Sequence, residues 1–250
     1  MFKVHPIAIL NDNYVWTIIH NDNTVIVDPG TSEEVIKFHE NNNLHPTAIL
    51  ITHHHNDHVG GLSKLIETYN VSVYAPQNKK FKFDFMPVKE NDEIKLFNNA
   101  LTLKVAEVPG HTLDHIIYFG DGMLFCGDTL FSFGCGRVFE GSYEEMFHSV
   151  MKVKKLPAET IIYCGHEYTA SNAKFCIAYD PSNKTLEKRV DEIKTLRSKN
   201  LPTIPTTIKN EIDTNIFLRC DNREIRKNLS LENSSDIEVF IKLRKLKDNF

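Results

Sequence analysis

The sequence predicts a mixed α/β layered domain over residues 1–170 and a smaller helical domain over 171–250. Two observations separate them. Short β-rich apolar runs recur, with turn residues between them, as far as about residue 168. Beyond a boundary near 169–172 the apolar residues fall instead at helical spacing, as in Leu186, Val190, Ile193 and Leu196. A third observation points to chemistry: one apolar run, "TAILIT", ends in "HHHNDH", where four of the chain's twelve histidines crowd into six positions.

In order along the chain, "YVWTII" (14–19) and "TVIVD" (24–28) are β-rich and separated by "HNDN", which predicts a hairpin. "DPG" at 28–30 is turn punctuation, and "SEEVIKFHENN" after it suits a short helix capped by Ser32. "TAILIT" (47–52) has no polar alternation, so it reads as a strand buried on both faces. Val59, Leu62, Leu65, Ile66 and Tyr69 follow at helical spacing. "VSVYA", "LTLKVAEV", "HIIYF", "MLFCGD" and "TIIYCG" are further strands, with a helix near 143–155. Helices are expected over 170–180, 184–199 and 235–247, and "LPTIPTTIKNEIDTN" reads as a proline-punctuated connection.

Composition is that of a soluble globular protein, with 41% hydrophobic and 25% charged residues. A net charge of −4 gives no reason to expect nucleic acid as a partner. The five cysteines form no C-x-x-C pair and no disulfide framework. No signal peptide and no run of transmembrane length is visible, so the reading is a reduced, cytoplasmic protein with no membrane partner, acting as a monomer on a small molecule.

In an extended chain, residues two apart point the same way, so His53 and His55 can grip one metal ion while His54 faces oppositely. Asp57 and His58 follow at the turn into a helix and point elsewhere. These are two half-sites, H-x-H and D-H, each needing ligands from other segments. Three later positions supply them where strands give way to loops: His111 in "VPGHT", Asp128 in "LFCGDTLF" and His166 in "IYCGHEYT". We assign His53, His55 and His111 to one ion and Asp57, His58 and His166 to a second, with Asp128 able to bridge. Imidazole nitrogen and carboxylate oxygen suit zinc first, with iron or manganese also accepted. His115 reads as a hydrogen-bonding neighbour of the ligands, Asp28 as a turn residue that supports them, and His54 as a packing residue.

"THHHNDH" and the ordered His111, Asp128 and His166 resemble the T-H-x-H-x-D-H pattern of the metallo-β-lactamase superfamily. That resemblance implies an αββα sandwich with two metal ions at one edge. "GDTLFSFGCGRVFEGS", "CGHEYTASNAKF" and "RKLKDNF" are similar to stretches of the glyoxalase II (hydroxyacylglutathione hydrolase) family over nearly the whole chain. The implied reaction is hydrolysis of S-D-lactoylglutathione to glutathione and D-lactate, a step of methylglyoxal detoxification. The implied glutathione-binding residues are Arg137, Tyr168, Arg244 and Lys247. Phe139 stands where some members carry tyrosine, and Asp114 where glycine is common.

The chemistry agrees with that family. Arginine and lysine offer fixed cations to glutathione's carboxylates, and Arg244 and Lys247 lie one helical turn apart. Two ions lower the pKa of a shared water from 15.7 toward ~7, which supplies hydroxide for attack on a thioester carbonyl. Asp57 is placed to orient that hydroxide. A thiol of ordinary pKa, about 8.5, leaves without a strong acid, and no G-x-S-x-G nucleophile is present. The competing readings are another hydrolase of the superfamily (lactone, β-lactam or phosphodiester), a mononuclear iron oxidoreductase on the same scaffold, and a closed structural metal site.

Overall fold

The computed structural model describes residues 2–250. They form two compact units: residues up to Glu107 with Asp114–Gly127, and Val108–Leu113 with Asp128–Phe250. The composition change near residue 170 lies inside the second unit.

In the first unit, β1 (Lys3–Ile9), β2 (Asn13–His20), β3 (Asn23–Val27), β4 (His45–Leu50), β5 (Ser72–Pro76) and β6 (Met86–Val88) form one sheet in sequence order. The β2–β3 hairpin pairs His20 with Asn23 across its turn, as "HNDN" predicts. From β3 onward the pairing is parallel. Parallel neighbours need long connections, and the first two crossovers are helical: α1 (Glu33–Asn41) leads to β4, and α2 (Asn56–Val59) followed by α3 (Leu62–Tyr69) leads to β5, while residues 77–85 lead to β6 without a helix. Strand β4 sits between two parallel neighbours with Ala48, Ile49 and Leu50 buried, which is why its sequence lacks alternation. Ser32 precedes α1 without a side-chain cap; the hydroxyl of Thr31 bonds Glu34 instead.

The helical spacing of 59–69 is interrupted at Gly60 and Gly61. A Cβ on Gly61 would lie 2.3 Å from the Thr31 carbonyl, so backbone approach to the "DPG" turn demands glycine there. A second, antiparallel run of strands comprises β7 (Glu93–Leu96), β8 (Leu101–Glu107), β9 (Ile116–Gly120) and β10 (Met123–Gly127). Tyr118 of β9 ties it to the first sheet: its buried hydroxyl donates to the carbonyls of Ile51 (2.8 Å) and Tyr74 (3.1 Å). Ile7, Val15, Ile26, Ile49, Leu62 and Leu65 fill the core.

The second unit contains β11 (Leu130–Phe131), β12 (Gly134–Cys135), α4 (Tyr143–Lys154), β13 (Ile161–Cys164), α5 (Thr169–Tyr179), α6 (Lys184–Ser198), β14 (Thr206–Thr207), α7 (Ile208–Thr214), α8 (Arg223–Asn228) and α9 (Asp236–Lys247). Ser142 and Glu145 form a capping box at the start of α4. Asn183 caps α6 by accepting from two backbone N–H groups. The stretch read as a connection holds β14 and α7. Thr207 caps that short helix, and one of its buried positions is a carboxylate, Glu211, so no apolar stripe announced it. Phe175, Phe217 and Phe240 pack as rings in the core of this unit.

All five cysteines are unbridged and buried. Burial pushes the thiol of Cys135 up to about 11 and those of Cys164 and Cys176 up to about 12, with Cys220 higher still. Among the described residues, no helix is long and apolar enough to cross a membrane.

Candidate metal centre

The first unit gathers four of the candidate donors. Past β4 the backbone stays extended to His55, then enters α2, whose single turn carries Asp57 and His58. That turn swings His58 back, so its ring centre lies 4.2 Å from that of His53. His53 and His55 face each other with Nε2 of the first 3.1 Å from Nδ1 of the second. Thus His53 lies against both His55 and His58, and Asp57 stands beside His58.

Asp28, at the "DPG" turn, organises this group. Its carboxylate accepts from the Thr52 backbone N–H (2.8 Å) and hydroxyl (2.7 Å), and stands 3.0 Å from His58 Nδ1. His58 therefore carries its proton on Nδ1 and keeps the Nε2 lone pair for a metal ion, 3.6 Å from Asp57 Oδ2. Asn13 fixes Asp57 by donating to the same oxygen at 2.9 Å. His115 is fully buried and stacks on His53 at 4.6 Å, a support rather than an accessible ring.

His54 turns away from this group. Its Nδ1 lies 2.9 Å from Asp114 and its Nε2 accepts from Lys80 at 2.8 Å. Asp114 also accepts from Asn78 at 2.6 Å. The Asp114 carboxylate thus joins a polar chain through His54.

The second unit gathers the other three. Both His111 and His166 direct Nε2 at Asp128 Oδ2, at 3.4 and 3.3 Å. His111 Nδ1 is 2.7 Å from the Arg137 carbonyl, which fixes the proton there. Neutral His111 then turns a lone pair toward a carboxylate oxygen, and a cation between the two relieves that opposition. The same holds for the facing nitrogens of His53 and His55, which can share at most one proton. The two sets of donors are all imidazole or carboxylate, of the kind and number that two divalent ions require.

The residues expected to hold glutathione also lie in the second unit. Tyr168 stacks flat on His166, ring centres 4.5 Å apart. Arg137 is largely exposed, with Nε 3.6 Å from Asp248 and its guanidinium over Phe139 at 5.8 Å. Phe139 is itself 62% exposed, and its ring meets His111 edge-on. Arg244 differs from expectation in its surroundings. Only 5% exposed, it donates to the Cys135 carbonyl (2.7 Å) and to Asp248 (3.1 Å) and lies over Phe217. Lys247, half-buried between the rings of Phe175 and Phe250, has its pKa lowered by burial and then by Arg244. Asp248, which joins Arg137 to Arg244, escaped the sequence reading. Its signal was a carboxylate four residues after Arg244 on the same helix face.

A model of the metallo-β-lactamase superfamily matches residues 10–166, and one of the hydroxyacylglutathione hydrolase C-terminus matches 167–250. The chain is 45% identical to the hydroxyacylglutathione hydrolase of Vibrio campbellii and 44% identical to that of Photobacterium profundum, each alignment covering all of both chains. The chain belongs to the hydroxyacylglutathione hydrolase family. Its fold is also that of the crystal structure of ETHE1 from Myxococcus xanthus, with a TM-score of 0.68 at 24% identity over 98% of this chain and 90% of that one. The junction between the superfamily model and the hydroxyacylglutathione hydrolase C-terminus falls directly after His166, two residues past the end of β13.

Proposed function

We propose that this chain hydrolyses the thioester of S-(2-hydroxyacyl)glutathione, chiefly S-D-lactoylglutathione, releasing glutathione and D-lactate. The observation that carries this reading is full-length similarity to hydroxyacylglutathione hydrolases, from the metal-binding segment through the C-terminal helices. We assign residues 1–170 to metal binding and chemistry and 171–250 to substrate binding. His53, His55 and His111 would hold one ion, Asp57, His58 and His166 the other, and Asp128 both. Zinc is the ion we favour on donor type.

Bound there, two divalent ions would supply an acidified water and polarisation of the thioester carbonyl. The protein's own groups do the rest. Asp57, steadied by Asn13, orients the attacking water and accepts its hydrogen bond. Asp28 and the Arg137 carbonyl hold His58 and His111 in the tautomers that leave Nε2 available. The glutathione carboxylates meet Arg137 and Lys247, the Tyr168 hydroxyl supplies a polar contact beside His166, and buried Arg244 adds positive charge behind them. The departing sulfur leaves as thiolate, so no residue need protonate it first. The chain works as a cytoplasmic monomer in this reading.

Purified protein tests the proposal directly. It should carry about two equivalents of metal and release thiol from S-D-lactoylglutathione. Chelation should abolish turnover and zinc restore it. Full activity with one tightly held equivalent would remove the two-ion assignment, and no thioesterase activity in the metal-replete protein would remove the function.

A further inference from the structure

Residues 130–135, the β11–β12 hairpin, have an unusual set of partners. Each of five consecutive backbone carbonyls accepts a hydrogen bond from a side chain beyond residue 170. Asn215 donates to Phe131 (3.1 Å) and Gly134 (3.0 Å), Asn172 to Ser132 (3.1 Å), Cys176 to Phe133 (3.2 Å) and Arg244 to Cys135 (2.7 Å). The Phe133 N–H in turn donates to buried Glu211 at 2.8 Å. Glu211 also accepts from Thr206 (2.8 Å) and Asn215 (3.0 Å), which helps hold a carboxylate whose pKa burial raises.

Phe133 has φ of 61°, a left-handed conformation costly for a bulky side chain. Such a residue persists only where its surroundings over-determine it. Here its N–H and its carbonyl are both gripped from the C-terminal helices. Gly134 fits the same arrangement: a Cβ there would stand 2.4 Å from Asn172 Nδ2.

The two ends of the hairpin are the ends that matter for the metal. Asp128 precedes it. On its far side the Gly136 N–H returns to the Thr129 carbonyl at 3.2 Å, and a Cβ on Gly136 would lie 2.0 Å from the Asp128 carbonyl oxygen. The Arg137 carbonyl then meets His111 Nδ1 at 2.7 Å, and the Phe139 N–H donates to the His111 carbonyl at 3.2 Å.

We infer that the C-terminal helices are a template for this hairpin and, through it, set Asp128 and His111 as metal donors. Asn172, Glu211 and Asn215 are then positioning residues that touch neither metal nor substrate. Arg244 belongs to the same set through its bond to Cys135. This rests on the two-ion reading above.

The test measures zinc affinity by chelator competition in the full chain, with steady-state kinetics and melting of the metal-free protein. Asn215→Ala should weaken zinc binding by roughly ten- to a hundredfold, the range for groups that orient metal ligands. Its kcat should recover with excess zinc, while KM for S-D-lactoylglutathione stays near the native value. Asn183→Ala is the control. It removes the α6 cap and a bond to the Asp213 carbonyl of α7 in the same unit, touches none of residues 130–135, and should lower the melting temperature without changing zinc affinity. Should Asn215→Ala not fold, Asn172→Ala, losing only the bond to Ser132, carries the same test. Native zinc affinity in these variants, or an equal loss in Asn183→Ala at equal melting temperature, overturns the inference. A wild-type chain that binds no zinc overturns the metal reading itself, and this inference with it.

Discussion

The two groups of donors are built in opposite ways. In the first unit, His53, His55, Asp57 and His58 come from one stretch of six residues, folded by a strand end and a single helical turn. In the second, His111, Asp128 and His166 come from three separate strand ends and are aligned by backbone carbonyls and a hairpin gripped by distant helices. The local group is fixed by a few direct contacts, with Asp28 holding Thr52 and His58 and Asn13 holding Asp57. A dispersed group has to be held at several points at once, so more of the chain contributes to its geometry.

That contrast can be broken most sharply at the donors themselves. Asp128→Ala should lose affinity for both ions by more than roughly a hundredfold, beyond the range for orienting groups, and activity should fall with it. His55→Ala should release one equivalent and retain the ion assigned to Asp57, His58 and His166. Metal analysis after gel filtration distinguishes the two, and equal stoichiometry in both variants would remove the bridging role of Asp128.

Asp28→Ala probes the anchor of His58 in the local group. Its loss frees His58 Nδ1 and the Thr52 N–H together. Zinc affinity should drop by roughly ten- to a hundredfold, with Asp28→Asn retaining more, because it keeps an acceptor. Chelator competition reads both variants.

Lys247→Ala should act on substrate instead of metal. A charge-assisted contact is typically worth ~1.5–3 kcal/mol, or about ten- to a hundredfold in KM, with kcat nearly unchanged. The lysine pKa lies below its ordinary value. The charge is lost as pH rises through that lowered value, so KM should climb at a lower pH than an exposed lysine would give. A pH series of KM for wild type and Lys247→Ala, on glutathione and non-glutathione thioesters, decides this. Parallel losses on both substrates would mean that Lys247 only packs against Phe175 and Phe250.

The smallest effect concerns stability in the first unit. His39 is buried in α1, with Nδ1 2.8 Å from the Val35 carbonyl and Nε2 3.0 Å from the Thr24 hydroxyl. Burial lowers its pKa from 6.5, against a smaller raising effect of the Val35 bond. The unfolded chain therefore binds a proton that the folded chain refuses. Its stabilising contribution is complete above 6.5 and declines as pH falls from there toward the lowered folded value. In metal-free protein, His39→Gln should flatten the fall of the urea midpoint between about pH 7 and 5. An unaltered slope would exclude the histidine as its source.

The sequence legibility of these parts follows the same contrast. "THHHNDH" was readable because its donors are adjacent, and β4 because a doubly buried strand has no polar alternation. His111, Asp128 and His166 were readable only as polar residues at strand ends, given meaning by order. The grip on residues 130–135 was not readable, since hydrogen bonds to backbone carbonyls leave no pattern in the accepting residues. Helix α7 was hidden because Glu211 occupies a buried position. Arg244 was legible only as a cation one turn from Lys247, and its burial depends on Cys135 and Phe217 arriving from elsewhere.

The buried cysteines give the molecule an internal clock. With the pKa values of Cys135, Cys164 and Cys176 raised to about 11 or 12, scarcely any thiolate exists at neutral pH in the folded chain. An alkylating reagent consequently modifies them at the rate and extent to which each region opens. Cys126 lies in β10 of the first unit, and the other four lie in the second. Site-resolved alkylation would time the opening of the two units separately, within a single polypeptide and without an added label.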